Sequence, residues 1–329
     1  MISIMKKTKR IIFLLLSVML LLSGCGYKNV IKNHEVVDMN SEINDYFTEG
    51  DFSGAILIAK NQKIIYCHGF GEGINSESVL EIGSLTKQMT ASIILNLCDK
   101  GYFELDDTID KYFSDLSFAN RVTVRQLLNM TSGIPEYMDD KDILSKEPMD
   151  VIKAMKIDET LYNNYDYSNS NYYLLGKIIE KNTGKTYEEA LDEYIFDKVG
   201  MHHSKLATSN IKPVYIYSDE ASYPVKYTYS AGGVRSTVYD LYDWQRAYWN
   251  GEIIPEKYME ELLHNKDGYM YGLSCSDGIY THQGTTKSFS SFVYMNMKDG
   301  VEVIVLSNDL RNKCEDIVRE VVEIVGKYY

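Results

Sequence analysis

Cysteine, proline and positive charge are all scarce in this chain. Five cysteines among 329 residues are too few for a disulfide-built scaffold, and no two stand at a C-x2-C spacing that would hold zinc. A disulfide among Cys67, Cys98, Cys275 and Cys314 stays open at this level. Five prolines beside 22 glycines exclude collagen-like and proline-rich low-complexity classes. Lysine and arginine number 34 against 47 acidic residues, a formal net charge of −13. Such a chain is poorly suited to gripping nucleic-acid phosphates. With 45% hydrophobic and 25% charged residues, it has ample material for a large core and is not disordered.

The one unbroken hydrophobic run is short. Ile11 to Leu22 is apolar except for Ser17. At ~1.5 Å per residue, a helix of that length spans about 18 Å, well short of a ~30 Å hydrocarbon core. Lys6, Lys7, Lys9 and Arg10 precede it, as in a secretory signal. Leu22-Ser23-Gly24-Cys25 follows, and it resembles the lipobox of bacterial lipoproteins. That resemblance implies cleavage before Cys25, diacylation of its thiol and membrane attachment on the extracytoplasmic face. Residues 1–24 are thus expected to be a signal, 25–40 a polar tether and 41–329 the folded body. Beyond the signal, residues 25–329 carry 30 basic against 47 acidic residues, a net −17.

Beyond residue 40 there is neither repeat nor low-complexity linker. Ser53–Ala59 and Lys63–Tyr66 read as a β-hairpin around Lys60-Asn61-Gln62. Ser84 to Lys100 reads as an amphipathic helix, with Met89, Ile93, Ile94 and Leu97 on one face and Gly101 as its stop. Thr123-x-x-Gln126, Thr186-x-x-Glu189 and Thr237-x-x-Asp240 are helix starts. Tyr172 to Lys181 is a further helix. Two β-runs, Ser291–Asn296 and Val301–Leu306, are followed by a final helix through Val325. Strands at both chain ends with helices between them predict an α/β (α+β) fold. Its sheet is mainly antiparallel, is flanked by helices and is assembled from both ends of the chain, with a helical sub-domain inserted.

Three local patterns carry chemistry. Ser84-Leu85-Thr86-Lys87 opens the first long helix, where residues i and i+3 share a face. A serine hydroxyl there can be activated by a lysine whose charge is suppressed by burial. Other S-x-x-K matches, at Ser3 and Ser209, lie in the signal or run into Pro213. Tyr167-Ser168-Asn169 offers a phenol for proton transfer and an amide for substrate. It is preferred over Tyr162 because it leads directly into a helix. Thr281-His282-Gln283-Gly284-Thr285-Thr286 precedes a strand and can line a cleft wall. Adjacent His202-His203 cannot share a helix face, so a metal site there is not expected. Nothing in the sequence calls for a cofactor.

In this order the three patterns resemble the penicillin-recognising serine hydrolases, in the branch with class C β-lactamases, DD-peptidases, D-aminopeptidases and esterases. The segments Leu80–Ala91, Gly101–Leu116, Val122–Pro135, Tyr167–Gly184 and Ser230-Ala231-Gly232-Gly233 extend the similarity over residues 38 to 325. The resemblance implies a β-lactamase/DD-peptidase-like fold and an acyl-enzyme on Ser84. It implies that Lys87 and Tyr167 share general-base and general-acid work and that Asn169 binds the substrate amide. It further implies an oxyanion hole from the N–H groups of Ser84 and Thr285. His282 and Gly284 would line the substrate cleft, His282 standing where many members carry lysine. An imidazole there predicts a pH dependence near ~6.5. The expected substrates are D-alanyl peptides or esters of the cell wall. A class C-like β-lactamase and a non-catalytic penicillin-binding module are the alternatives.

Overall fold

The computed structural model describes residues 38–208, 213 and 222–329. The signal segment, Cys25 and most of the expected tether lie outside them. Residues 38–40 are not tether: they open helix α1, residues 38–49. Met39, Ile43 and Phe47 recur every four residues and are all buried, the pattern of one helical face against a core.

Two compact units are distinguished. The described part of one comprises residues 38–50 and 321–329. Within it, the Glu42 carboxylate accepts from Lys327 Nζ and from the Tyr328 hydroxyl. The other, residues 51–320, contains every candidate site residue from Ser84 onward.

The hairpin expected near residue 60 is β1 (Gly54–Lys60) and β2 (Lys63–Phe70). Asn61 and Gln62 both take positive φ, 49° and 58°, as a two-residue turn of this hand requires. After β3 (Leu80–Glu81) comes α2 (Thr86–Asp99), then α3 (Val124–Leu128), α4 (Pro148–Ala154), α5 (Asn169–Thr183), α6 (Tyr187–Leu191) and α7 (Asp197–Val199). Next are β4 (Lys205–Leu206), α8 (Val225–Gly232), β5 (Val234–Ser236), α9 (Val238–Trp249) and α10 (Glu256–His264). The chain closes with β6 (Asp267–Met270), β7 (Leu273–Ser276), β8 (Ile279–Thr285), β9 (Ser290–Asn296), β10 (Val301–Ser307) and α11 (Cys314–Gly326). The capping boxes at Thr123 and Thr186 both form.

Seven strands make one sheet in the order β2-β1-β10-β9-β8-β7-β6, every pairing antiparallel. The first strand therefore pairs the last, as Gly54↔Ser307 through Lys60↔Val301, and the sheet is assembled from both chain ends. The sequence reading did not anticipate β6, β7 or the small sheet β3-β5-β4. These strands have two to four residues, too short for an alternating pattern to register.

Helix α2 departs from expectation. It is buried on nearly every side, including Gln88, Thr90 and Ser92. Most of its polar groups find partners: Gln88 Oε1 accepts from Trp244 Nε1 at 3.0 Å and Gln245 Nε2 at 2.9 Å, while Gln88 Nε2 has none among the described residues. Thr90 donates to the Ser230 carbonyl at 2.7 Å. A buried polar residue is tolerated when paired, so α2 is a central pillar and not a surface helix. Cys67, Cys98, Cys275 and Cys314 are free thiols. Among the described residues no helix is long and apolar enough to cross a membrane.

Candidate active site

Ser84 sits in a 3-10 turn, Gly83–Leu85, that feeds α2. Lys87, one turn on, is fully buried. Its Nζ lies 2.9 Å from Ser84 Oγ, 2.7 Å from Asn169 Oδ1 and 2.6 Å from the Ala231 carbonyl oxygen. Two of these partners are acceptors only. A neutral amine gives them its two N–H groups and turns its lone pair toward Ser84. Burial pushes the Lys87 ammonium down to about 7, while the Glu136 carboxylate holds it partly up. The amine that removes the serine proton is thus available near neutrality.

Tyr167 and Asn169 straddle the start of α5, where Ser168 caps the helix. The Tyr167 hydroxyl is 2.7 Å from Ser84 Oγ. Burial raises its pKa, so it is a phenol that donates to Oγ, not a standing phenolate. Tyr167 is 37% exposed overall, through the ring that walls the cavity, while its hydroxyl is turned inward to the serine. The rival Tyr162 instead donates to the Arg121 carbonyl.

Asn169 is held by both ends of its amide. Oδ1 accepts from Lys87, and Nδ2 donates to Glu136 Oε2 at 2.8 Å. Glu136 also takes the Asn169 backbone N–H at 2.6 Å. Asn169 therefore positions the lysine as much as it faces substrate, with one Nδ2 hydrogen left over. Glu136, the residue just after the Val122–Pro135 segment, is a site residue that no sequence pattern singles out. Nothing local links it to Asn169, 33 positions away.

The Ala231 carbonyl reaches Lys87 because the chain turns abruptly at Tyr229, with φ 35° and ψ −127° inside α8. Few L residues adopt that region. The Tyr229 ring is held between Tyr173 and Tyr187, with centroids 5.2 and 5.0 Å away, and Lys177 Nζ stands over it at 4.3 Å.

The third pattern falls on β8. A Cβ on Gly284 would lie 2.1 Å from the Ile82 carbonyl and 2.2 Å from Ser291 Oγ. One on Gly83, at φ +50°, would lie 2.8 Å from the Thr285 nitrogen. Only bare backbone lets the end of β8 approach the serine turn so closely. Ser291 Oγ ties the two together by donating to the Ile82 carbonyl at 2.8 Å.

His282 corrects the sequence reading. Its Nδ1 lies 2.7 Å from the Gln283 carbonyl, which can only accept, so Nδ1 carries the proton. Nε2 then accepts from the Tyr269 phenol at 3.1 Å. Burial and the nearby Lys87 charge push His282 down to about 3. It is a neutral, doubly engaged imidazole on the cavity wall, and it does not titrate near 6.5. Tyr269, on the unanticipated β6, was missed with its strand.

Two cavities meet at the serine. The larger, about 380 Å³, is lined by Ser84, Tyr165, Tyr167, Tyr269, His282 and Gln283 among others. The smaller, about 130 Å³, runs past Met138, Tyr223, Tyr227 and Gly232. Ser84, Asn169 and Thr285 line both. A substrate spanning both would place its scissile bond at Ser84. Lys287, on the β8–β9 turn, places Nζ 6.0 Å from the Tyr223 ring centroid. His202 and His203 lie exposed in a turn.

The family model described as Beta-lactamase matches residues 40–326. Protein flp of Staphylococcus aureus strain COL is 30% identical over 304 residues, 79% of this chain, and the chain spans 60% of that relative's length. FmtA from Staphylococcus aureus superposes with a TM-score of 0.77 at 23% identity, covering 89% of this chain and 90% of that one. The D-amino acid amidase from Ochrobactrum anthropi SV3, complexed with D-phenylalanine, gives 0.75 at 21% identity, covering 91% and 99%. The fold is therefore shared well beyond the catalytic turn. With the match running almost from end to end of the described chain, the protein belongs to the β-lactamase family, the penicillin-recognising serine hydrolases.

Proposed function

We propose that this is a serine hydrolase lipid-anchored at the extracytoplasmic face of the cell membrane, acting through a Ser84 acyl-enzyme on D-alanyl peptides or esters of the cell wall. The observation that carries the chemistry is the buried Lys87 amine, with two acceptors satisfied and its third contact on Ser84 Oγ.

In the acylation step Lys87 takes the Ser84 proton and Oγ bonds to the substrate carbonyl carbon. The developing oxyanion faces the N–H groups of Ser84 and Thr285 at the β8–serine-turn junction. The bond to the leaving group breaks, and Tyr167 gives that group its proton. This leaves an ammonium on Lys87 and a phenolate on Tyr167. Lys87 Nζ is 5.0 Å from the Tyr167 ring centroid, so each charge stabilises the other. Water then attacks the acyl-enzyme and loses a proton to Tyr167. Lys87 returns its proton to Ser84 Oγ, and the starting state is restored.

The D-amino acyl specificity is supported by the fold shared with a D-amino acid amidase. Anchoring is supported by the Lys6–Arg10 basic region, the Ile11–Leu22 run and the Leu22-Ser23-Gly24-Cys25 sequence. Fluorescent penicillin or fluorophosphonate, followed by peptide mapping, tests the nucleophile. Label is expected on Ser84 and absent from Ser84→Ala; a folded wild type that takes no label there refutes the reading. Growth with an alkyne-tagged fatty acid tests the anchor: Cys25→Ser is expected to lose the tag.

A further inference from the structure

We infer that Tyr229 is a positioning residue for the catalytic base: its glycine-like backbone aims the Ala231 carbonyl at Lys87, and its caged ring holds that backbone in place. The inference rests on the proposed role of Lys87 and extends the machinery to a residue that lines neither cavity.

Lys87 needs two acceptors for its amine N–H groups, so that its lone pair is left for Ser84. One of them, the Ala231 carbonyl at 2.6 Å, is a main-chain atom, and its direction is set by the backbone upstream. Two residues before it, Tyr229 has φ 35° and ψ −127°. Glycine takes this region freely, whereas a residue with a Cβ does so at a cost. Relaxation of residue 229 to helical values would swing the peptide units that follow and carry the Ala231 carbonyl away from Nζ.

Two sets of contacts hold the turn. The first is polar and needs no side chain at 229. The Gly233 N–H donates to the Tyr229 carbonyl at 2.9 Å, Ser230 Oγ to the Tyr172 carbonyl at 2.8 Å and Thr90 Oγ1 to the Ser230 carbonyl at 2.7 Å. The second is the buried ring, caged by Tyr173, Tyr187 and Lys177. It abuts α5 at Gly176, where a Cβ would lie 2.6 Å from Tyr229 Cε1 and 2.1 Å from Ser230 Oγ. Lys177 is itself fixed by Glu180 Oε2 at 2.9 Å, and Glu180 Oε1 accepts the Tyr187 N–H at 3.1 Å. Ring packing and a cation over the ring offset the backbone cost that a tyrosine brings to this position.

The consequence inverts the usual ranking of small residues. A ring that only filled space in α8 would be replaced better by alanine than by glycine, the poorer helix former. A required backbone conformation favours glycine, which keeps the turn without a ring, over alanine, which relaxes it.

The test compares Tyr229→Phe, Tyr229→Gly and Tyr229→Ala in the full chain. Near-ultraviolet circular dichroism checks the fold, and kcat/KM on p-nitrophenyl acetate from pH 5 to 9 is the readout. Tyr229→Phe keeps the ring and is expected within about twofold of wild type, and Tyr229→Gly within about threefold. Both should keep the acidic limb near 7. Tyr229→Ala is expected to lose about tenfold or more of the plateau, in kcat and not in KM. Its limb should fall to lower pH, because the Lys87 ammonium loses a charge-assisted acceptor. Alanine equal to or better than glycine overturns the inference, as does a limb that does not fall in Tyr229→Ala. Should Tyr229→Ala not fold, Tyr229→Gly decides: a folded glycine enzyme weaker by about tenfold or more overturns the inference, and one near wild type supports it. Fluorophosphonate labelling of the wild type is measured alongside. If Ser84 is labelled and the ester is cleaved while alanine matches glycine, only the positioning inference fails. If neither occurs, the hydrolase reading fails and this inference falls with it.

Discussion

Replacing Glu136 by glutamine is expected to make the enzyme faster than wild type in mild acid. The reacting base is the neutral Lys87 amine, so activity is present above its pKa and lost as pH falls through it. An ordinary lysine at 10.5 is about 0.1% neutral at pH 7.4, whereas one at about 7 is about 70% neutral. Burial thus supplies several hundred-fold more base, and the Glu136 carboxylate works against it by favouring the ammonium. The two groups are bridged by the Asn169 amide. A charge pair roughly 7 Å apart at an effective dielectric of about 20 is worth about 2 kcal/mol, or about one pKa unit after solvent screening. A glutamine oxygen still accepts from the Asn169 side chain and backbone, so the geometry survives the change. The acidic limb of kcat/KM, measured on p-nitrophenyl acetate from pH 5 to 9, should lie near 7 in the wild type and about one unit lower in Glu136→Gln. At pH 6 the neutral fraction then rises from about 10% to about 50%, a roughly fivefold gain in rate. A limb that stays in place, or one that moves up, refutes the assignment of Lys87 as base.

Tyr167→Phe should lower acylation and deacylation together, by about 10²–10⁴-fold, the usual weight of a positioned proton donor; rapid-quench kinetics on a chromogenic ester separates the two steps. His282 should stay neutral, with its proton on Nδ1, down to about pH 4, and ¹⁵N NMR of the imidazole showing a transition near 6.5 would contradict this. Gly284→Ala should cost about 1–3 kcal/mol, because its Cβ meets backbone at 2.1 Å; thermal unfolding should fall by several degrees, with loss of Ser84 labelling. Thr123→Ala should remove the α3 capping box at a cost of about 0.5–2 kcal/mol without changing kcat, read from urea midpoints.

Much of the architecture was legible in the sequence because it is written locally. Helix starts at Thr123 and Thr186 follow from side chains reaching N–H groups three residues away. The Asn61-Gln62 hairpin, the long strands near both ends and the Ser84–Lys87 pair on one helical turn likewise depend on neighbours a few positions apart. Tertiary structure alone decided what those residues meet. Lys87 is a base only because Asn169 and Ala231, 82 and 144 positions distant, take its protons while surrounding chain strips its water. Glu136 became part of the site by folding against α5, and Tyr269 by closing a strand of four residues onto His282. The imidazole that sequence alone would titrate near 6.5 is neutral for the same reason. Sequence sets which groups can ionise, but burial and hydrogen-bond partners, which are properties of the packed chain, set which of them do.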